Sequence, residues 1–234
     1  MKKNNLLLKI KNKIKQLITR NYKIYFSKVI YYKVFIFLDK IYGLDFYTPM
    51  SLKQLGLEPD SNNVHYGATR SYEINKVLRE SGVQKEDSVM DFGSGKGLML
   101  YDCYRFGIKK ICGVELSEIA CNIAKNNFEK LGISSINIEQ VNATEIVAQL
   151  DDYSVFYFYN PFGPETLDVV INNITQSIKR SPRSVKIIYH FPIDKNIIEK
   201  TGLFDLVYDY APYFFGGQYL VYESNNLSQA GVKT

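Results

Sequence analysis

With only two histidines in 234 residues, His65 and His190, there is almost nothing from which to build a histidine metal centre or a His-based nucleophilic triad. Cysteine is nearly as scarce. Cys103, Cys112 and Cys121 are odd in number, lack CxxC spacing and have no histidine close by in sequence, which excludes a disulfide framework and a zinc site. Buried free thiols in a reducing compartment follow, and no metal is expected. Long apolar runs are also missing: the stretch from Val29 to Leu38 is broken by Lys33 and falls short of the roughly 20 residues a spanning helix needs. No secretory leader pattern is visible. A cytoplasmic protein is expected, peripheral to a membrane at most. Acids are absent from one region alone. Residues 1–40 hold 11 Lys/Arg and a single acid, Asp39, whereas the remainder holds 18 Lys/Arg against 23 acids. The mildly acidic body gives no sign of a nucleic-acid surface; the basic extension suits an anionic membrane or another polyanion.

What is present is enough apolar material, 46% of the chain, for one α/β domain and a modest extension. Leu7, Ile10, Ile14, Leu17 and Ile18 recur at helical spacing with lysines between them, which predicts a basic amphipathic helix. A second helix is expected from Phe26 to about Tyr42. The plain reading is that both pack on the body. Residues 1–50 are thus assigned to the extension, 51–223 to the main domain and 224–234 to a disordered tail. Within the main domain, predicted strands Ser88–Phe92, Ile111–Glu115, Ile136–Val141, Val155–Tyr159 and Val185–Tyr189 alternate with helices Tyr72–Glu80, Gly97–Tyr104, Ser117–Leu131 and Glu165–Lys179. Two further strands, Phe204–Tyr210 and Gln218–Glu223, lie close together near the end. The fold class is therefore α/β, Rossmann-like: a seven-strand, mostly parallel sheet with an antiparallel edge hairpin.

The segment richest in chemistry is Val89-Met90-Asp91-Phe92-Gly93-Ser94-Gly95-Lys96-Gly97, a strand that ends in an acid and turns through glycines into a helix. Gly93, Gly95 and Gly97 permit a sharp turn and close approach of a ligand. The dinucleotide fingerprint fails because Leu98 stands three residues after Gly95, and the Walker pattern fails because Gly97 follows Lys96. Asp91 would repel a pyrophosphate at the helix N-terminus but welcomes a ligand carrying ammonium and sulfonium charge. Lys96 is expected to point to solvent. Eighteen residues past Gly97, Glu115 closes the next strand, placed to accept hydrogen bonds from both ribose hydroxyls of a nucleoside. Asn142-Ala143 follows the third strand, where the Asn carbonyl is placed to meet an adenine amino group. Asn160-Pro161-Phe162 follows the fourth, where an acceptor substrate would sit.

These strand ends resemble class I S-adenosylmethionine-dependent methyltransferases over roughly residues 65–223, with Asp91 and the three glycines similar to their first motif and Glu115 to their ribose-binding acid. Asn142 replaces the aspartate usual at the adenine position. A closer resemblance is to the disruptor-of-telomeric-silencing, non-SET histone lysine methyltransferase family. It is carried by His65-Tyr66-Gly67-Ala68-Thr69, the Asp-x-Gly-Ser-Gly loop, Gly113-Val114-Glu115 and Phe162-Gly163-Pro164-Glu165. The departures are specific. Ala68 stands where that family usually has Glu, and the family's Asn-Asn-Phe-x-Phe-Gly-Pro-Glu becomes Tyr159-Asn160-Pro161-Phe162-Gly163-Pro164-Glu165, placing the single Asn one residue nearer to Gly-Pro-Glu.

The resemblance implies S-adenosyl-L-methionine as cofactor and methyl transfer to an amine, with a protein lysine as the first candidate. Asn160 with the Pro161 backbone is expected to orient the acceptor and Phe162 to pack beside the methyl group, while Tyr66 and Thr69 close over the methionine end. His190 is expected to be structural, and Tyr157, Tyr159 and Tyr189 to lie near the acceptor pocket. Two other readings stay open at this point: methylation of a small molecule or glycan at a membrane surface, and a non-catalytic binding module. The intact loop and both acids argue against the second.

Overall fold

A computed structural model describes residues 30, 33–57, 71–212 and 217–225. The predicted amphipathic helix around Leu7–Ile18, Tyr66, Thr69 and residues 226–234 of the predicted tail lie outside them.

Seven strands form one sheet in the order β3-β2-β1-β4-β5-β7-β6. They are β1 (Ser88–Phe92), β2 (Lys110–Glu115), β3 (Ile136–Gln140), β4 (Val155–Tyr159), β5 (Lys186–His190), β6 (Phe204–Tyr210) and β7 (Tyr219–Ser224). The first five are parallel and β7 is antiparallel to both β5 and β6. The hairpin is therefore folded so that its second strand, not its first, meets β5. Composition explains the choice. In β7 the run Tyr219–Tyr222 is buried throughout and suits an interior position, whereas β6 carries Asp205 and Asp209 and is largely exposed, as an edge strand must be.

Strand β1 lies between β2 and β4, so the chain leaves it toward one side of the sheet and later returns to build the other. That reversal opens a crevice at the carboxyl ends of β1 and β4, the usual ligand position in such sheets. Alternation along the strands divides the core in two. On one face, Val89, Val155, Tyr157 and Ile188 pack with helices α1 (Ser71–Glu80), α2 (Leu98–Phe106) and α3 (Glu118–Lys130). On the other, Met90, Phe92, Phe156, Phe158 and Tyr189 pack with α4 (Pro164–Arg180) and α5 (Asn196–Glu199). The turn of α5 and the short 3-10 turns Lys53–Leu55, Ala143–Glu145 and Ala148–Asp152 carry no period that a sequence reading registers.

The expected second helix is present over 33–42. Its residues Phe35 and Ile36 pack on the core, and the Oδ2 of buried Asp39 accepts the backbone N–H groups of Phe46 (2.7 Å) and Tyr47 (2.9 Å). Phe46 and Tyr47, on the extension side of the boundary expected at residue 50, belong to the same core cluster as Val89. All three cysteines are free and buried. Among the described residues, no helix is long and apolar enough to cross a membrane, and no cluster of His, Cys, Asp and Glu is arranged to hold a metal ion.

Candidate active site

The glycine turn is built by β2. Gly93 and Ser94 both donate their backbone N–H to the Val114 carbonyl, at 2.8 and 3.1 Å, and the Gly97 N–H closes back on the Ser94 carbonyl at 2.9 Å. Gly93 and Gly97 are in left-handed conformations that other residues rarely adopt, with φ of 72° and 84°. They also lack room. A Cβ on Gly97 would lie 2.7 Å from the Phe128 ring, and one on Gly93 would lie 2.5 Å from Cβ of Pro161. The loop after β1 and the Asn160-Pro161 turn after β4 therefore touch, which brings two of the predicted site segments to one crevice.

Glu115 locks the same turn from below. One carboxylate oxygen accepts the N–H of Gly95 and the other that of Ser117, both at 2.8 Å. Each oxygen keeps lone-pair capacity for a further donor, which is what two ribose hydroxyls require. Burial raises the Glu115 carboxyl above its usual value, and the N–H groups of Ser117, Gly95 and Leu116 oppose that shift. Asp91 is more exposed to the cost of burial: it is 3% solvent-accessible and accepts no hydrogen bond from a described residue. Its carboxyl is pushed well above the ordinary range, first by desolvation and then by the negative charge of Glu115. Two neighbouring buried acids with no counter-cation among the described residues make a site that a positively charged ligand stabilises and a phosphate does not.

Lys96 is not solvent-directed. Its side chain is fully buried, and Nζ donates to Asp45 Oδ1 and to the Thr48 carbonyl, both at 2.7 Å. Asn127 completes this strap: its Nδ2 donates to the carbonyls of Asp45 (3.2 Å) and Lys96 (3.3 Å), and its Oδ1 accepts the Asp45 N–H at 2.8 Å. Further along, Ser117 Oγ donates to the Leu55 carbonyl at 2.6 Å and accepts the Ala120 N–H, capping α3. The segment 45–55 thus holds the glycine loop from outside the crevice. Sequence reasoning missed Asp45 and Asn127, which lie 51 and 31 residues from Lys96; no local pattern couples them.

The strand ends beyond β1 and β2 are placed as follows. Asn142 is exposed, and its Oδ1 accepts from Thr144 N (3.1 Å) and Thr144 Oγ1 (2.9 Å), so the carbonyl expected to meet an adenine caps the 3-10 turn and the amide donor is left outward. Ala143 is half-buried beside it. Asn160 has a φ of 40°, rare for a residue with a side chain, and its Oδ1 accepts the Tyr189 hydroxyl at 3.1 Å. Burial pushes the Tyr189 phenol up to about 12, which keeps it a neutral donor. Phe162, expected beside the methyl group, packs edge-on against Phe158 at 6.1 Å. Gly163 and Pro164 then turn the chain directly into α4. His190 is structural, as expected: it is buried between the rings of Tyr219 (3.8 Å) and Tyr159 (4.0 Å), with Nδ1 3.1 Å from the Tyr157 hydroxyl.

Comparison with known proteins agrees with this architecture. The chain is 23% identical over 130 residues to EEF1A lysine methyltransferase 2 of Homo sapiens, covering 55% of each chain. It is 34% identical over 76 residues to the ribosomal protein L11 methyltransferase of Staphylococcus carnosus, covering 32% of this chain and 24% of that one. It therefore spans about half, or less, of the length of these curated relatives. Among solved structures, the ribosomal protein L11 methylase from Lactobacillus delbrueckii subsp. bulgaricus superposes with a TM-score of 0.53 at 16% identity, over 77% of this chain and 91% of that one. That likeness establishes the fold. The profile of the family described as Histone methylation protein DOT1 matches residues 48–179, more than half of the sequence, and includes the glycine loop, both acids, the Asn160-Pro161 turn and the strap from Thr48 onward; the chain belongs to this family.

Proposed function

We propose that the protein transfers a methyl group from S-adenosyl-L-methionine to an amine of a protein substrate, with a lysine side chain as the acceptor. The observation that carries the reading is Asp91: a buried carboxyl that accepts no hydrogen bond among the described residues, beside a second buried acid, at the mouth of a glycine turn. The names of the relatives support a protein acceptor.

The cofactor supplies an electrophilic methyl group on a sulfonium. Asp91 offsets the positive charge of its methionine end, and the backbone of Gly93, Gly95 and Gly97 lies against it without Cβ interference. Glu115 would accept the ribose hydroxyls and Asn142 and Ala143 would lie beside the adenine, while Tyr66 and Thr69, outside the described residues, are assigned to the methionine end by the family resemblance alone. Asn160, held by Tyr189, and the Pro161 carbonyl would orient the acceptor N–H groups and direct the nitrogen lone pair toward the methyl group. Transfer would form the acceptor's N–C bond at the expense of the S–C bond, leaving the electron pair on sulfur and releasing the product ammonium's proton to water. No base is needed if the amine arrives neutral, and positioning accounts for most of the rate.

Calorimetric titration of S-adenosylmethionine into the full chain tests this, with NADH and ATP as controls. Micromolar binding that disappears in the Asp91→Ala, Glu115→Ala double variant is expected; a folded protein that binds none would sink the reading. Transfer of labelled methyl to a lysine-rich protein, lost when its amines are chemically blocked, tests the acceptor.

A further inference from the structure

The helical segment 33–42 has two apolar faces and only one is covered. Phe35 and Ile36 turn inward, with the Phe35 ring 5.1 Å from that of Tyr47, and buried Asp39 fixes the same side. Facing away are Val34, Phe37, Leu38 and Ile41, at the i, i+3, i+4, i+7 spacing of a continuous stripe and exposed by 45%, 62%, 36% and 59%. A helix packed on a globular body normally presents polar residues outward, so this stripe needs a partner. Lys33 and Lys40 flank it, both exposed.

The sequence that precedes the stripe points to that partner. Residues 1–29 contain nine Lys/Arg and no acid, with apolar residues at helical spacing between them. A second copy of the chain would have to bring two such basic runs together across the stripe, which like-charge repulsion opposes. A nucleic acid offers phosphates but nothing for Phe37 and Ile41 to enter. An anionic bilayer offers both headgroup charge and an apolar layer within reach of a helix lying in its plane. We infer that the outward face of segment 33–42, together with the basic run before it, docks the protein on an anionic lipid surface. The inference uses none of the crevice residues, so it stands or falls apart from the methyl-transfer reading.

The chain has no tryptophan, so Phe37→Trp places a single indole reporter in the stripe. With the full-length variant, phosphatidylcholine vesicles containing phosphatidylglycerol should shift the emission to the blue and brominated lipids should quench it. Pure phosphatidylcholine should do neither, and salt at about 0.5 M should reverse most of the binding. In cosedimentation of the full-length Phe37→Asp, Ile41→Asp variant, binding to the anionic vesicles should fall at least about tenfold. Because both positions are already exposed, its thermal unfolding should be unchanged. An unshifted indole, or a variant that pellets as well as wild type, overturns the inference. So does sedimentation equilibrium showing a dimer that the variant abolishes, since the occupant is then a second copy.

Discussion

At the scale of single residues, the crevice turns on a buried acid that meets no counter-charge among the described residues. Asp91 holds its proton in the folded protein to a pH well above its ordinary value of 3.8, because burial and Glu115 both oppose ionisation. The sign follows directly. Between 3.8 and the raised value the folded state binds a proton that the unfolded state has released, so this residue's contribution to stability falls as pH rises through that window. A cation bound beside Asp91 favours the ionised form and reverses the shift. Affinity for S-adenosylmethionine should therefore increase with pH across the same window, with proton release on binding. Calorimetry at several pH values, in two buffers of different ionisation enthalpy, measures both. The Asp91→Asn variant should bind weakly, with a flat pH profile through the Asp91 window. A wild-type profile equally flat in that window would mean that Asp91 does not meet the ligand's charge.

At the scale of elements, the strand ends and the connections between them were legible to different degrees. Gly93, Glu115 and Asn160 sit at the ends of β1, β2 and β4, and their placement follows from strand period and turn chemistry, both local properties. The strap does not. Lys96 reads locally as a loop cation, and only the folded chain brings Asp45, Thr48 and Asn127 to it. Phe162 reads as a crevice aromatic because it adjoins Asn160-Pro161, and its edge-on packing against Phe158 depends on a strand neighbour that no local pattern announces. The strap separates two substitutions that look equivalent on paper. Asp45→Ala removes the carboxylate that Lys96 Nζ meets at 2.7 Å and should cost about 2 to 3 kcal/mol, below the roughly 3 to 5 kcal/mol of a fully buried pair because Asp45 is itself 37% exposed. Lys96→Met keeps the length and removes the charge, leaving Asp45 to solvent, and should cost less. Urea unfolding of both variants decides the matter. Equal losses would show that the lost ion pair itself, rather than the cost of a buried ammonium left behind, sets the penalty.

At the scale of the whole molecule, the question is where the folding unit begins. Composition sets residues 1–40 apart by charge, and the family match starts at residue 48. The packing follows neither division: Phe46, Tyr47, Leu52 and Leu55 are buried, and Asp39 carries the backbone of the first two. Removing one buried phenylalanine from a core costs about 3 to 5 kcal/mol, against a total stability of about 5 to 15 kcal/mol for a typical domain. Deletion of residues 1–32 removes none of these contacts and should leave a cooperative thermal transition within about 5 °C of the full chain, since about 1 kcal/mol moves the midpoint of a domain this size by only a few degrees. Deletion of residues 1–57 removes the whole strap. It also strips Lys96 and Asn127 of their partners at Asp45 and Thr48 and exposes the core under α2 and α3, so the remaining chain should unfold below ambient temperature or lose its sharp transition. Circular dichroism melts of the two truncations would place the boundary. A shorter protein that melted like the longer one would confine the folding unit to the residues after 57 and reduce the strap to a surface attachment.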